Sequence, residues 1–172
     1  MNEEPGSPVQ ELHHATRSWY GLPVEITVST DHYHRVVVGG LPLPHFGLVN
    51  LIARWGLPPA EQLEQTWRHE LGHVQTLPLI LPHLLLLLWP RRRRGPRWLW
   101  WLVMLVAHQA AWELAAEGYV ILSYRPEGDH LSSGKARPLY GLLWGGMAAL
   151  AVGGTLWTLS SRATGEQREN GA

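Results

Sequence analysis

His69, Glu70 and His73 spell H-E-x-x-H within the run from Trp67 to Val74. On a helix, residues four apart lie on one face, so both imidazoles can point at a single metal ion. Imidazole nitrogen suits zinc, and a catalytic zinc keeps one coordination position open for water. Glu70, one step round the helix from His69, leans over that position. A carboxylate there can take a proton from water whose pKa the metal has lowered. The chemistry this spacing predicts is hydrolysis.

A catalytic zinc usually takes three protein ligands. A third histidine six residues beyond His73 is excluded, because Leu79 stands there. The chain has no cysteine, which removes thiolate ligands and disulfides together. Downstream carboxylates remain. Glu113 follows His73 by 40 residues, and Glu117 lies one helical turn further on the same face. Either can serve as a ligand, and Glu117 can instead orient a ligand imidazole. His108, Tyr119, Arg125 and His130 are candidates for stabilising an oxyanion.

The elements that must position these groups follow from patterning. Pro59 suits a first helical turn, and Glu61 and Glu64 suit its positive end, so a helix is predicted from Pro59 to Thr76. Leu63, Trp67, Leu71 and Val74 form its core stripe. Leu77 to Trp89 is then apolar except for His83, Arg91 to Arg97 is basic, and Trp98 to Trp112 is uncharged. This apolar hairpin, 77–112, carries the chain out and back, so that Glu113 arrives beside His69 and His73. Its two runs are shorter than the roughly 20 residues of a single span, leaving spanning, re-entrant and buried arrangements open.

Upstream, Val24 to Val28 alternates as a half-buried strand, and Arg35 to Val38 reads as its partner, closed by Gly39-Gly40. Residues 1–20 read as a flexible arm, Leu41 to His45 as an extended loop, and Gly47 to Trp55 as a short helix. Downstream, Leu139 to Leu159 is 21 uncharged residues, enough for a transmembrane helix over 138–160. Gly141, Gly145, Ala149 and Gly153 recur every four residues and predict a face for close helix packing. Residues 161–172 read as a disordered tail. The metal-binding region is thus a single domain over 21–130.

Formal net charge is zero, so a global electrostatic footprint for nucleic acid is absent, and only the Arg91–Arg97 cluster offers a local one. The arginine cluster lies between two apolar runs, which suits anionic lipid headgroups. Ten Trp against one Phe suits a chain at a membrane interface. The first ten residues carry no apolar core of a secretory signal.

His69-Glu70-Leu71-Gly72-His73, an apolar helical hairpin, and then Glu113-x-x-Ala116-Glu117 resemble the membrane-associated gluzincin metallopeptidases. These include the heat-shock membrane peptidases and the CAAX prenyl-protein proteases. The resemblance spans about 55 residues, His69 to Tyr124. It implies that Glu113 is the third zinc ligand. It places Glu117 where the family has an aspartate beside a ligand. The family's N-terminal membrane helices have no counterpart here. Site-2 proteases also carry H-E-x-G-H within the membrane, with a later aspartate as ligand. Asp129 is the only downstream aspartate, and its surroundings do not match theirs.

The expected fold is therefore mainly α with a small β-hairpin: a zincin-like active-site helix, an apolar helical hairpin and a C-terminal transmembrane helix. The expected function is zinc-dependent peptide hydrolysis by an integral protein of a bacterial-type inner membrane. His69, His73 and Glu113 would hold Zn2+, Glu70 would act as base, and the partners would be a peptide substrate and membrane lipid. The competing expectations are a non-catalytic membrane scaffold that retains a zincin-like fold, and a site-2-type intramembrane protease.

Overall fold

A computed structural model describes residues 9–31, 34–43, 57–88, 96–124 and 137–169, with 137–140 and 161–169 described by their backbone alone. Four strands, β1 (Glu11–Arg17), β2 (Pro23–Ser29), β3 (His34–Val38) and β4 (Leu41–Pro42), form one antiparallel sheet in chain order. Among the described residues three helices follow: α1 (Pro59–Leu88), α2 (Arg97–Ser123) and α3 (Arg137–Glu169).

The expected hairpin is the centre of this sheet, with Ile26 paired to Val36 and Val24 to Val38. Its alternation decides which face is buried. Val24, Ile26, Val28, Val36 and Val38 point onto Leu63, Leu71 and Val74 of α1 and make the main core. Full burial of such side chains contributes about 1.5–3 kcal/mol each. A second apolar cluster, Leu87, Trp100 and Met104, lies between α1 and α2.

The arm expected over residues 1–20 is instead strand β1 from Glu11 onward, paired with β2 from Glu11↔Ser29 to Arg17↔Pro23. Its sequence hides it. Glu11, His13, His14 and Arg17 leave no apolar alternation, because an edge strand on a sheet with one solvated face buries little. Backbone pairing and the Trp19–Tyr20 turn hold it. The segment expected as a short helix, Gly47 to Trp55, lies outside the described residues.

The helix predicted to stop at Thr76 continues to Leu88, through Pro78 and Pro82. Proline lacks the N–H that would bond the carbonyl four residues back. For Pro78 that carbonyl belongs to Val74, and the Tyr20 hydroxyl donates to it at 2.9 Å. Burial pushes the Tyr20 phenol up, opposed by a hydrogen bond to Ser18, so the ring keeps the proton it donates. Neighbouring carbonyls also accept side-chain bonds, that of Gly72 from within the helix and those of His73 and Gln75 from outside it. Gly72 accepts from Thr76 Oγ1, His73 from Trp112 Nε1 at 3.1 Å, and Gln75 from Trp19 Nε1 at 2.8 Å. The break at Pro78 is thereby repaired from outside the helix, by Tyr20.

Extension past the apolar runs makes α1 30 residues and α2 27, so among the described residues three helices are long and apolar enough to cross a membrane. One of them, Gly141–Ser160, falls within the stretch expected to span, and α3 runs on to Glu169 where a disordered tail was expected. From Ser160 to Glu169 the chain holds no proline and one glycine, so nothing in it stops a helix.

The packing face of α3 is not the expected one. Gly141, Gly145, Ala149 and Gly153 face outward, and a Cβ added at Gly141, Gly145 or Gly153 meets nothing. The close approach is at Gly154, where an added Cβ would lie 2.6 Å from Ala107 Cβ of α2. The four-residue spacing therefore lies one residue away from the true contact. Gly154→Leu is expected to lower thermal stability in detergent, by about 1–3 kcal/mol for such overpacking, while Gly145→Leu leaves it nearly unchanged. Equal melting of the two variants would contradict this helix orientation.

Candidate metal centre

The third and fourth turns of α1 carry His69, Glu70 and His73 between the sheet and α2. All three are buried, as are Glu113 and Glu117 on α2. Gly72 permits this closeness. A Cβ there would lie 2.5 Å from the backbone oxygen of Ala116, so the two helices touch backbone to backbone. Ala116 stands between Glu113 and Glu117, and both carboxylates are thereby delivered to the imidazoles.

The geometry converges on one point. Glu113 Oε2 lies 3.0 Å from His69 Nε2 and 3.4 Å from His73 Nε2. One ligand atom from each of His69, His73 and Glu113 lies within 4.8 Å of the others. Ligands at about 2.1 Å around a tetrahedral zinc stand about 3.4 Å apart, so the spacing fits. The other oxygen of Glu113 accepts a hydrogen bond from Gln109 Nε2 at 2.8 Å, which fixes the carboxylate plane.

Glu117 Oε2 lies 2.8 Å from His69 Nδ1. As the acceptor of that Nδ1–H, it turns the Nε2 lone pair of His69 towards Glu113 and His73. A carboxylate oxygen and an imidazole lone pair 3.0 Å apart repel unless a proton or a cation lies between them. Three buried carboxylates, Glu70, Glu113 and Glu117, add a charge cost that a divalent ion offsets. Two nitrogens and one oxygen are a donor set that zinc accepts. The residues present therefore fit the metal.

Both carboxylates expected from the sequence thus reach the site, Glu113 at the point of convergence and Glu117 behind His69. Glu117→Ala is expected to weaken metal binding by roughly 10–100-fold, the usual cost of losing such a support, and Glu117→Gln to recover much of it. Competition against a zinc-responsive dye measures both. Unchanged affinity in Glu117→Ala would remove this role.

Glu70 is fully buried, with Oε1 3.5 Å from His34 Nδ1 of β3. His34 was not expected at the site. It shares the inward face of its strand with Val36 and Val38, and that parity was the available signal. Trp112 packs against the His73 ring with centroids 5.1 Å apart, and Trp144 of α3 stands 6.0 Å from His69. These indoles close two sides of the cluster.

The oxyanion candidates fare differently. His108 stacks on His83, Nδ1 to Nδ1 at 3.3 Å, and His83 Nε2 lies 3.0 Å from Thr155 Oγ1. This polar pair ties the three helices together below the metal cluster. Tyr119 packs on the main core with Tyr124. Burial raises the Tyr124 phenol, as does Tyr119, while Arg68 over its ring lowers it. Arg125, Asp129 and His130 lie outside the described residues.

Comparison with family models, curated proteins and solved structures finds no match to the chain.

Proposed function

We propose that the protein is a membrane-associated zinc metallopeptidase of the gluzincin type. The observation that carries this reading is the convergence of His69 Nε2, His73 Nε2 and Glu113 Oε2 in a buried cluster, with the Glu70 carboxylate on the same helix. Zinc, when bound, supplies Lewis acidity and makes water acidic near neutral pH.

The chain does the rest. His69 and His73 present lone pairs, Glu113 presents a carboxylate oxygen, and Glu117 holds the His69 tautomer. Glu70 takes the proton of the attacking water and returns it to the leaving amine. Trp112 and Trp144 exclude bulk water from the ligand side, which strengthens each electrostatic contact. The three apolar helices support placement of the chain in a membrane, with peptide or unfolded protein as substrate and no role for nucleic acid.

The test is cleavage of an unfolded protein by the full chain purified in detergent, alongside its metal content. About one zinc per chain is expected. A strong chelator should abolish cleavage, and added zinc should restore it. Full cleavage by thoroughly stripped protein would end the metallopeptidase reading. Bound zinc without hydrolysis of any peptide would leave a metal-stabilised scaffold.

A further inference from the structure

One end of the sheet is apolar on its outer side. The β1–β2 turn, Ser18 to Leu22, and the β3–β4 turn at Gly39-Gly40 lie together, with Gly39 N donating to Pro23 O at 2.8 Å and Leu22 packed over Gly39. Trp19 is 68% exposed, Leu22 44% and Leu41 72%.

The same end is bolted to α1. Trp19 N donates to Gln75 Oε1 at 2.9 Å, Trp19 Nε1 to Gln75 O at 2.8 Å, and Tyr20 OH to Val74 O at 2.9 Å. The indole spends its N–H inward, and what it shows outward is hydrocarbon. Leu79, one turn beyond Gln75 on the same helix face, is 71% exposed. The apolar surface of the sheet end therefore continues onto the outer wall of α1.

Two rulers set its depth. About 20 helical residues match the roughly 30 Å hydrocarbon layer. Counted back from Leu88, the last described residue of α1, such a length reaches His69. Gln75 then lies about 9 Å inside it. The apolar stretch of α3 is also 20 residues, Gly141–Ser160, and Trp144 near its start stands beside His69. Both helices give the same level. If they cross a bilayer, the sheet end meets lipid.

We propose that this end of the sheet, formed by Trp19, Leu22 and Leu41, is a membrane-contact surface that reaches through the interfacial layer into the outer edge of the hydrocarbon beside α1. The proposal rests on the membrane placement above, and lipid is the occupant for two reasons. The patch is continuous with the outer wall of a candidate spanning helix. Arg17 is the only charged residue in 17–23 and 38–43, and a lone cation at such a rim suits anionic headgroups. The contact holds the sheet, and with it His34 over Glu70, at a fixed depth.

The absence of native cysteine permits single-site labelling. Leu22→Cys, Leu41→Cys, Glu11→Cys and Leu105→Cys each carry an environment-sensitive fluorophore, in the full chain reconstituted into phosphatidylcholine–phosphatidylglycerol vesicles. Glu11 marks the opposite end of β1, roughly 20 Å away, and Leu105 marks the exposed face of α2. Nitroxide lipids should quench the labels at 22, 41 and 105 several-fold more than aqueous iodide does, and the label at 11 in the reverse order. Labels at 22 and 41 that follow the one at 11, while 105 follows lipid, overturn the proposal and leave the membrane placement intact. A label at 105 that iodide reaches overturns the membrane placement itself. Labels at 22 and 41 shielded from both quenchers show a protein cover, such as a second copy, and also overturn it.

Discussion

Glu70→Gln is expected to keep its zinc and lose hydrolysis by a factor of about 10²–10⁴, the usual worth of a positioned general base. The amide matches the carboxylate in size, and neither ligand imidazole is touched. Glu70 is also fully buried, 3.5 Å from His34 Nδ1, and the amide oxygen keeps an acceptor there. His73→Ala behaves differently. It removes a nitrogen that stands 3.4 Å from Glu113 Oε2, so metal and activity should be lost together. The measurement is zinc content beside the rate of cleavage of an unfolded protein for both variants and the parent. Parent-level activity in Glu70→Gln would falsify the mechanism. Zinc retained in full by His73→Ala would displace it from the ligand set.

The second large effect is expected at Gly72. Intrinsic helix propensity favours alanine there by about 1 kcal/mol, because glycine has more backbone freedom to lose. Packing opposes it. The new Cβ would stand 2.5 Å from Ala116 O, whereas ordinary contact begins near 3.4 Å, so the helices must part by roughly 1 Å. Backbone atoms cannot rotate aside as a side chain would. The strain is of order 1–3 kcal/mol and outweighs the propensity gain. A ligand constellation tolerates only about 0.5 Å of misplacement, so Glu113 and Glu117 should leave the imidazoles. Gly72→Ala is therefore expected to lose metal affinity and thermal stability. Gly118→Ala is the control, since a Cβ at that helical position meets nothing and should be neutral or stabilising. If both variants bind zinc as the parent does, backbone contact at Gly72 is not what assembles the site.

Within the sequence, local rules were enough for the central hairpin and for the start of α1. Alternation from Val24 to Val28 and from Val36 to Val38 sets which face is buried, and the observed register keeps it. The four-residue spacing of His69 and His73 is a property of any helix, so their shared face needed no tertiary information. That Glu113 and Glu117 return to this helix followed from an apolar hairpin bounded by polar ends.

What only the tertiary structure decided depends on partners distant in the chain. Strand β1 carries no apolar pattern, because pairing to β2 and the Trp19–Gln75 contacts hold it rather than burial of its own side chains. The continuation of α1 through Pro78 depends on a hydroxyl 54 residues upstream of Val74, whose carbonyl it satisfies. The face of α3 that meets α2 is chosen by a clash at Gly154, which spacing alone could not distinguish from the open face at Gly145. His34 reaches Glu70 because β3 lies across α1. The division between Glu113 at the convergence point and Glu117 behind His69 is a matter of a few ångströms, set by how closely Gly72 lets two backbones approach. Periodicity specifies which face a residue occupies. Distance across helices is specified only by the packing between them.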